Sequence, residues 1–326
     1  MVIGTRDRWQ PPPKAACHSG MVRAGRSTWG VAVLAALAVL TAGCQATTAA
    51  APGPPENQDT TTVTVATPPA TTAPPPSTAT PAAPSTVPPP PPPPASPWTV
   101  GARPLPLRSD GYGQVLPTPE VLVDRRLPTA DLLPAPTDDR FASSVRPVPA
   151  AVLARSTWQP ACPVRADQLR YLTLSFWGFD GGHHTGELIV NASVADAVVT
   201  VFATLHAARF PLEEMRVTAA PELDAPPTGD GNNTGAFVCR PARGQTRWSA
   251  HALGLAIDLN PFCNPYLRGD LVLPELASAY ANRGRIRPGM VRAGDVAVRA
   301  FAAAGWTWGG TWSNPRDLMH FSATGN

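Results

Sequence analysis

Proline is the residue that most limits where this chain can fold, because it fixes φ, lacks an amide donor and is excluded from helix interiors and central strands. Of 42 prolines, 18 fall in residues 51–100 and only 12 in 151–326, with seven in succession at Pro88–Pro94. Regular structure is therefore expected mainly in the second half. From Gln45 to about Trp98 the rest is mostly Ala, Thr and Ser, with Glu56 and Asp59 the only charges. So little apolar area cannot offset the entropy of ordering the chain. Residues 44–100 read as a disordered tether, whose roughly fifty residues would reach between about 40 Å as coil and 160 Å as polyproline II.

Upstream, Thr28–Leu40 is an apolar, uncharged run of thirteen residues, short of the roughly 20 that span a bilayer. Arg23 and Arg26 precede it, and it ends in Leu40-Thr41-Ala42-Gly43-Cys44, small residues before a cysteine as signal cleavage requires. Residues 1–43 therefore read as a leader with an export signal, and a start at Met21 would give that signal an ordinary length. The Leu40–Cys44 run resembles the bacterial lipobox, although Thr41 stands where leucine is usual. The resemblance implies an exported protein with lipid on Cys44, anchored in the membrane and facing the cell wall or periplasm; ordinary secretion is the alternative. Beyond the leader the chain holds 21 basic and 22 acidic residues. That balance lacks the broad basic field of a nucleic-acid binder, and nucleic acid is excluded as a partner.

Residues 101–154 alternate Pro-rich turns with short apolar pieces and are expected to wrap irregularly on a folded domain at 155–326. Within that domain Leu172, Leu174 and Phe176 alternate with polar residues, a strand pattern, and Gly186–Asn191 reads as its neighbour across the Gly178–Gly182 turn. Val194, Val198, Val201 and Leu205 recur at helical spacing behind a Ser193 cap, which predicts a helix to about Arg209. Met215–Ala219 is expected as a strand, 221–234 as a loop, and Asp295–Ala304 as a helix stopped by Gly305. These elements give an α+β domain with short strands.

Chemistry concentrates in two places. In Ser249–Pro261 (SAHALGLAIDLNP), a turn at Gly254 would start a strand with Leu255, Ile257 and Leu259 on the core face. Asp258 then follows Gly254 and Ala256 on the other face, with room in front of it for a metal ion. Imidazole and carboxylate suit zinc, while a capping Asp258 and a hydrogen-bonded core His251 are the plain alternative. Near the C-terminus, Asp317 and His320 stand three residues apart, close enough to serve one site. A catalytic zinc needs three protein ligands and an open position for water, with a carboxylate near to take the proton. His251, Asp258 and His320 as ligands, with Asp317 as base, fill those roles.

SAHALGLAIDLNP followed by GWTWGGTW and DLMHF resembles the zinc peptidases of the D-alanyl-D-alanine carboxypeptidase and L-alanyl-D-glutamate peptidase family, which share the hedgehog/DD-peptidase fold. The likeness runs over about residues 155–323 and implies a small antiparallel sheet with flanking helices. It implies Zn2+ on His251, Asp258 and His320, Asp317 as the acid/base, and an upstream arginine that holds substrate charge, for which Arg240 matches best by position. Peptidoglycan stem peptides are the implied partners, cut as a carboxypeptidase or an endopeptidase. Ser249, His184 and Trp308 are candidate substrate contacts. A non-catalytic wall-binding lipoprotein that keeps the fold is the alternative function. With Cys17 in the leader and Cys44 assigned to lipid, three cysteines remain for one disulfide; Cys162–Cys239 is favoured, and the other two pairings with Cys263 stay open.

Overall fold

The alternating run at Leu172–Phe176 lies in the middle strand of the largest sheet, and both faces of that strand are covered. The computed structural model describes residues 98–242 and 245–325. The leader, the start site, Cys44 and the tether as far as residue 97 lie outside these residues; residues 98–100, expected as the end of the tether, belong instead to the folded part, where the Trp98 indole donates to Asp230. In chain order the described elements are α1 (Glu120–Val123), β1 (Ser143–Pro147), α2 (Ala150–Arg155), β2 (Leu169–Gly178), β3 (His183–Asn191), α3 (Ala195–Ala207), β4 (Pro211–Leu212), β5 (Glu214–Met215) and β6 (Asn233–Thr234). They continue with β7 (Ala256–Asp258), β8 (Tyr266–Arg268), β9 (Leu271–Leu273), α4 (Ser278–Ala281), α5 (Val296–Ala303), β10 (Thr307–Trp308), β11 (Arg316–Asp317) and β12 (His320–Ser322). The fold is α+β, built from small, mainly antiparallel sheets and few helices, as expected.

The first sheet runs β1-β2-β3, antiparallel throughout, with β4 added parallel to β2. Leu172, Leu174 and Phe176 face α3, where they meet Val198, Val201, Phe202 and Leu205. Each such side chain taken fully out of water contributes about 1.5–3 kcal/mol. On the opposite face Leu169 and Tyr171 pack with Ile189, Val217 and Phe237. The same core that carries α3 reaches Ile257, Phe301 and Phe321. It thereby fixes a second sheet, β10-β12-β7, against the first.

Several local expectations shift. Asn191, not Ser193, caps the helical stretch: its side chain accepts from Ser193 N, a 3-10 turn spans Ala192–Val194, and α3 begins at Ala195. Of Met215–Ala219 only Met215 is in a strand, because β5 pairs for two residues with β6, inside the stretch expected as loop. Asp295 caps α5, and the chain leaves it through Gly305 at φ 80°. Residues 101–154 are less irregular than their prolines suggest, since β1 pairs with β2 over five residues, from Ser143 opposite Leu174. Ahead of it, Arg125 makes two 2.5 Å bonds to the carboxylate of Glu213, with both side chains buried. Arg283 and Arg287 also brace the core: Arg283 donates to Cys263 O and Val291 O, and Arg287 is buried beside Tyr280.

Candidate metal centre and active-site cleft

Register brings two candidate ligands together. In the antiparallel pair β7 and β12, His320 stands directly opposite Asp258. His251 comes from the 3-10 turn Ala250–Leu253, which Ser249 caps by accepting from Ala252 N. The turn ends at Gly254 with φ 68°, and a Cβ there would meet Asn191 N at 2.6 Å. Only glycine satisfies both demands, so Gly254 lets the turn press on β3 and then enter β7.

His251 Nδ1 lies 2.6 Å from the carbonyl oxygen of Ala236. A carbonyl only accepts, so Nδ1 carries the proton and Nε2 presents a lone pair to the cleft. That Nε2 is 3.2 Å from His320 Nδ1 and 3.3 Å from Asp258 Oδ1, and His320 Nδ1 is 3.1 Å from the same oxygen. A zinc ion at 2.0–2.1 Å from tetrahedral ligands separates them by about 3.3 Å, so the three atoms fit three corners of such a site. Burial pushes Asp258 up, but with no metal bound the flanking His251 and His320, when protonated, outweigh it by charge and hydrogen bonding and hold the carboxyl well below the usual range. An ionised carboxylate between two imidazoles is a donor set suited to a divalent cation.

Asp317, on β11, lines the same cleft. Its Oδ1 is buried without a hydrogen-bond partner among the described residues. Burial, reinforced by the charge of Asp258, pushes its pKa up to about 7. A carboxyl group poised near neutrality can both take and return a proton. A Cβ on Gly309 would meet Asp317 O at 2.7 Å, so the backbone of the Gly-rich turn packs directly against this residue.

Arg240 and Ser249 also line the cleft, an open cavity of about 1120 Å³. Arg240 Nη1 donates to Pro241 O, while Ser249 Oγ donates to Arg240 O and so ties the arginine's backbone to the His251 turn. Cys239, beside Arg240, is joined to Cys162, and Cys263 is a buried free thiol. Two other candidates sit elsewhere. His184 is buried between Asp131 at 2.8 Å and Asp180 at 3.1 Å, outside the cleft lining, because β3 turns it towards the hairpin. Trp308 is buried against Phe321 with its indole donating to Leu318 O; Trp312 is the tryptophan that lines the cleft. Sequence reasoning missed the contribution of Val100, expected as the end of the tether, and of Tyr112, from the wrapping segment, both of which line the cleft. No periodicity or motif marks them.

Residues 243–323, about a quarter of the chain, match the model of the D-alanyl-D-alanine carboxypeptidase family. The matched stretch contains His251, Asp258, Asp317 and His320 and begins after Arg240. It agrees with the resemblance read from the motifs and supports a peptidase of the D-alanyl-D-alanine carboxypeptidase type, a family that implies a peptidoglycan substrate. No curated protein and no solved structure matches the chain.

Proposed function

Taking residues 243–323 as a segment of the D-alanyl-D-alanine carboxypeptidase family, we propose that this protein is a zinc-dependent peptidase that hydrolyses stem-peptide bonds of peptidoglycan. The observation that carries the reading is the convergence of His251 Nε2, Asp258 Oδ1 and His320 Nδ1 at 3.1–3.3 Å, in the cleft that the near-neutral carboxyl of Asp317 also lines. Zinc, when bound by these three, would supply Lewis acidity to water and to the scissile carbonyl.

The chain's own residues do the rest. The Ala236 carbonyl fixes the His251 tautomer, and the strand register fixes Asp258 against His320. Asp317 Oδ1 takes a proton from the attacking water and returns it to the leaving amine nitrogen. Arg240 pairs with negative charge on the substrate, which suits either a terminal D-alanine carboxylate or a D-glutamate side chain. In this reading Cys44 carries lipid, and the protein works from the membrane towards the cell wall.

Metal analysis of the purified protein, with mass spectrometry of products from muropeptides, tests zinc, turnover and bond choice together. Asp317→Asn is expected to keep its metal and lose activity by about 10²–10⁴-fold, the range of a general acid/base contribution. His251→Ala is expected to lose both. Full hydrolysis by the Asp317→Asn protein would remove that residue from the mechanism.

A further inference from the structure

The cleft is larger than the three candidate ligands and their base require. Its volume of about 1120 Å³ exceeds the roughly 300–1000 Å³ of ordinary small-molecule sites. Part of its lining comes from outside the segment that carries the chemistry. Val100 and Tyr112 belong to the chain ahead of α1, and Leu223 ends the 3-10 turn Ala220–Leu223. Val100 and Leu223 are 42% and 41% exposed, apolar side chains presented to solvent within a cleft that also holds the metal candidates.

The N-terminal part of this lining is clamped in place. Asp230, fully buried, accepts from the Trp98 indole at 2.9 Å, the Gly101 amide at 3.1 Å and the Thr228 hydroxyl at 2.7 Å. Leu105 N donates to Pro227 O at 2.8 Å, and Gly113 N donates to Glu275 Oε1 at 2.9 Å. A buried carboxylate is tolerated only when its hydrogen bonds are made, so Asp230 holds residues 98–101 as a standing wall and not as a flap.

Continuity with the catalytic residues identifies what meets this wall. A peptide whose reacting bond lies beside Asp258 and Asp317 must place its neighbouring residues in the remainder of the same cavity. We propose that Val100, Tyr112 and Leu223 form a specificity subsite for the part of the peptide substrate remote from the scissile bond, selecting long peptides over dipeptides. This assignment rests on the peptidase reading. Val100, Tyr112 and Leu223 offer apolar surface to small aliphatic side chains, within a cleft whose lining also holds Arg216, Glu222 and Arg247.

The test compares a five-residue stem peptide ending in D-alanyl-D-alanine with the D-alanyl-D-alanine dipeptide. Hydrolysis is followed by mass spectrometry on the zinc-loaded protein, and binding by calorimetry on its Asp317→Asn variant. Tyr112→Ala and Leu223→Ser should each raise KM and Kd for the pentapeptide about tenfold, the size of one lost apolar contact, and leave the dipeptide unchanged. Val100→Ser, at an exposed position, guards against a folding artefact. Equal effects on both peptides, or wild-type binding that does not favour the longer one, would overturn the subsite. Binding that favours the pentapeptide, and loses that preference in Tyr112→Ala without either peptide being cut, would retain the subsite and sink the peptidase reading.

Discussion

Asp317 has a consequence for stability as well as for chemistry. Burial and the neighbouring Asp258 raise its pKa from 3.8 to about 7, so in the metal-free protein the folded state binds this proton more tightly than the unfolded state does. The contribution to stability is then fully present below about pH 4 and is lost as pH rises through about 7. Asparagine keeps the shape and carries no charge. Denaturant titrations in chelator should find the Asp317→Asn protein similar to its parent at pH 4 and more stable at pH 8, by a few kcal/mol. Parallel pH profiles would mean that the carboxyl is solvated and unsuited to the role of base. The residue types at His251, Asp258, Asp317 and His320 were legible because few sequences place two imidazoles and two carboxylates in these contexts for packing alone. His184 and Trp308 were not legible, since a histidine in a Gly-rich turn and a tryptophan in a Gly-rich run do not reveal which way the backbone turns them.

Among the elements, the short path from the His251 turn into β7 is the most demanding. Gly254 must adopt φ 68° while its α-carbon lies against the backbone of Asn191. Alanine there would meet both the left-handed penalty, about 1–2 kcal/mol, and the cost of pushing β3 away. Gly254→Ala is expected to destabilise the fold by about 3 kcal/mol and to weaken metal binding in the same protein, because the displaced turn carries His251. A thermal melt and a metal titration on one sample check this, and an unchanged metal affinity would separate the turn from the site. The alternation of β2, the stripe of α3 and the capped α5 were readable because each buries a continuous face. The two-residue strands β4, β5, β6, β10 and β11 were not, since two residues carry no period and pair only through contacts distant in sequence.

For the whole molecule, the sequence suggests that folding starts near residue 155, yet the structure ties earlier chain into the same core. β1 forms an edge of the main sheet, Asp230 is satisfied by Trp98 and Gly101, and Glu213 by Arg125 and Asn232. Proline content hid this, because the earlier segment contributes single hydrogen bonds and one short strand instead of periodic faces. Removing it would leave two buried carboxylates short of donors and expose the outer edge of β2. Arg125→Ala alone should cost about 3–5 kcal/mol, since it strands Glu213, whereas pairing Arg125→Met with Glu213→Leu should recover most of that loss. A chain beginning at residue 155 should accordingly aggregate or melt well below one beginning at Trp98, as differential scanning calorimetry and size-exclusion chromatography would register. Equal melting temperatures for the two chains would make residues 98–154 a detachable wrapping, and the cleft wall they build would then be free to move independently of the catalytic residues.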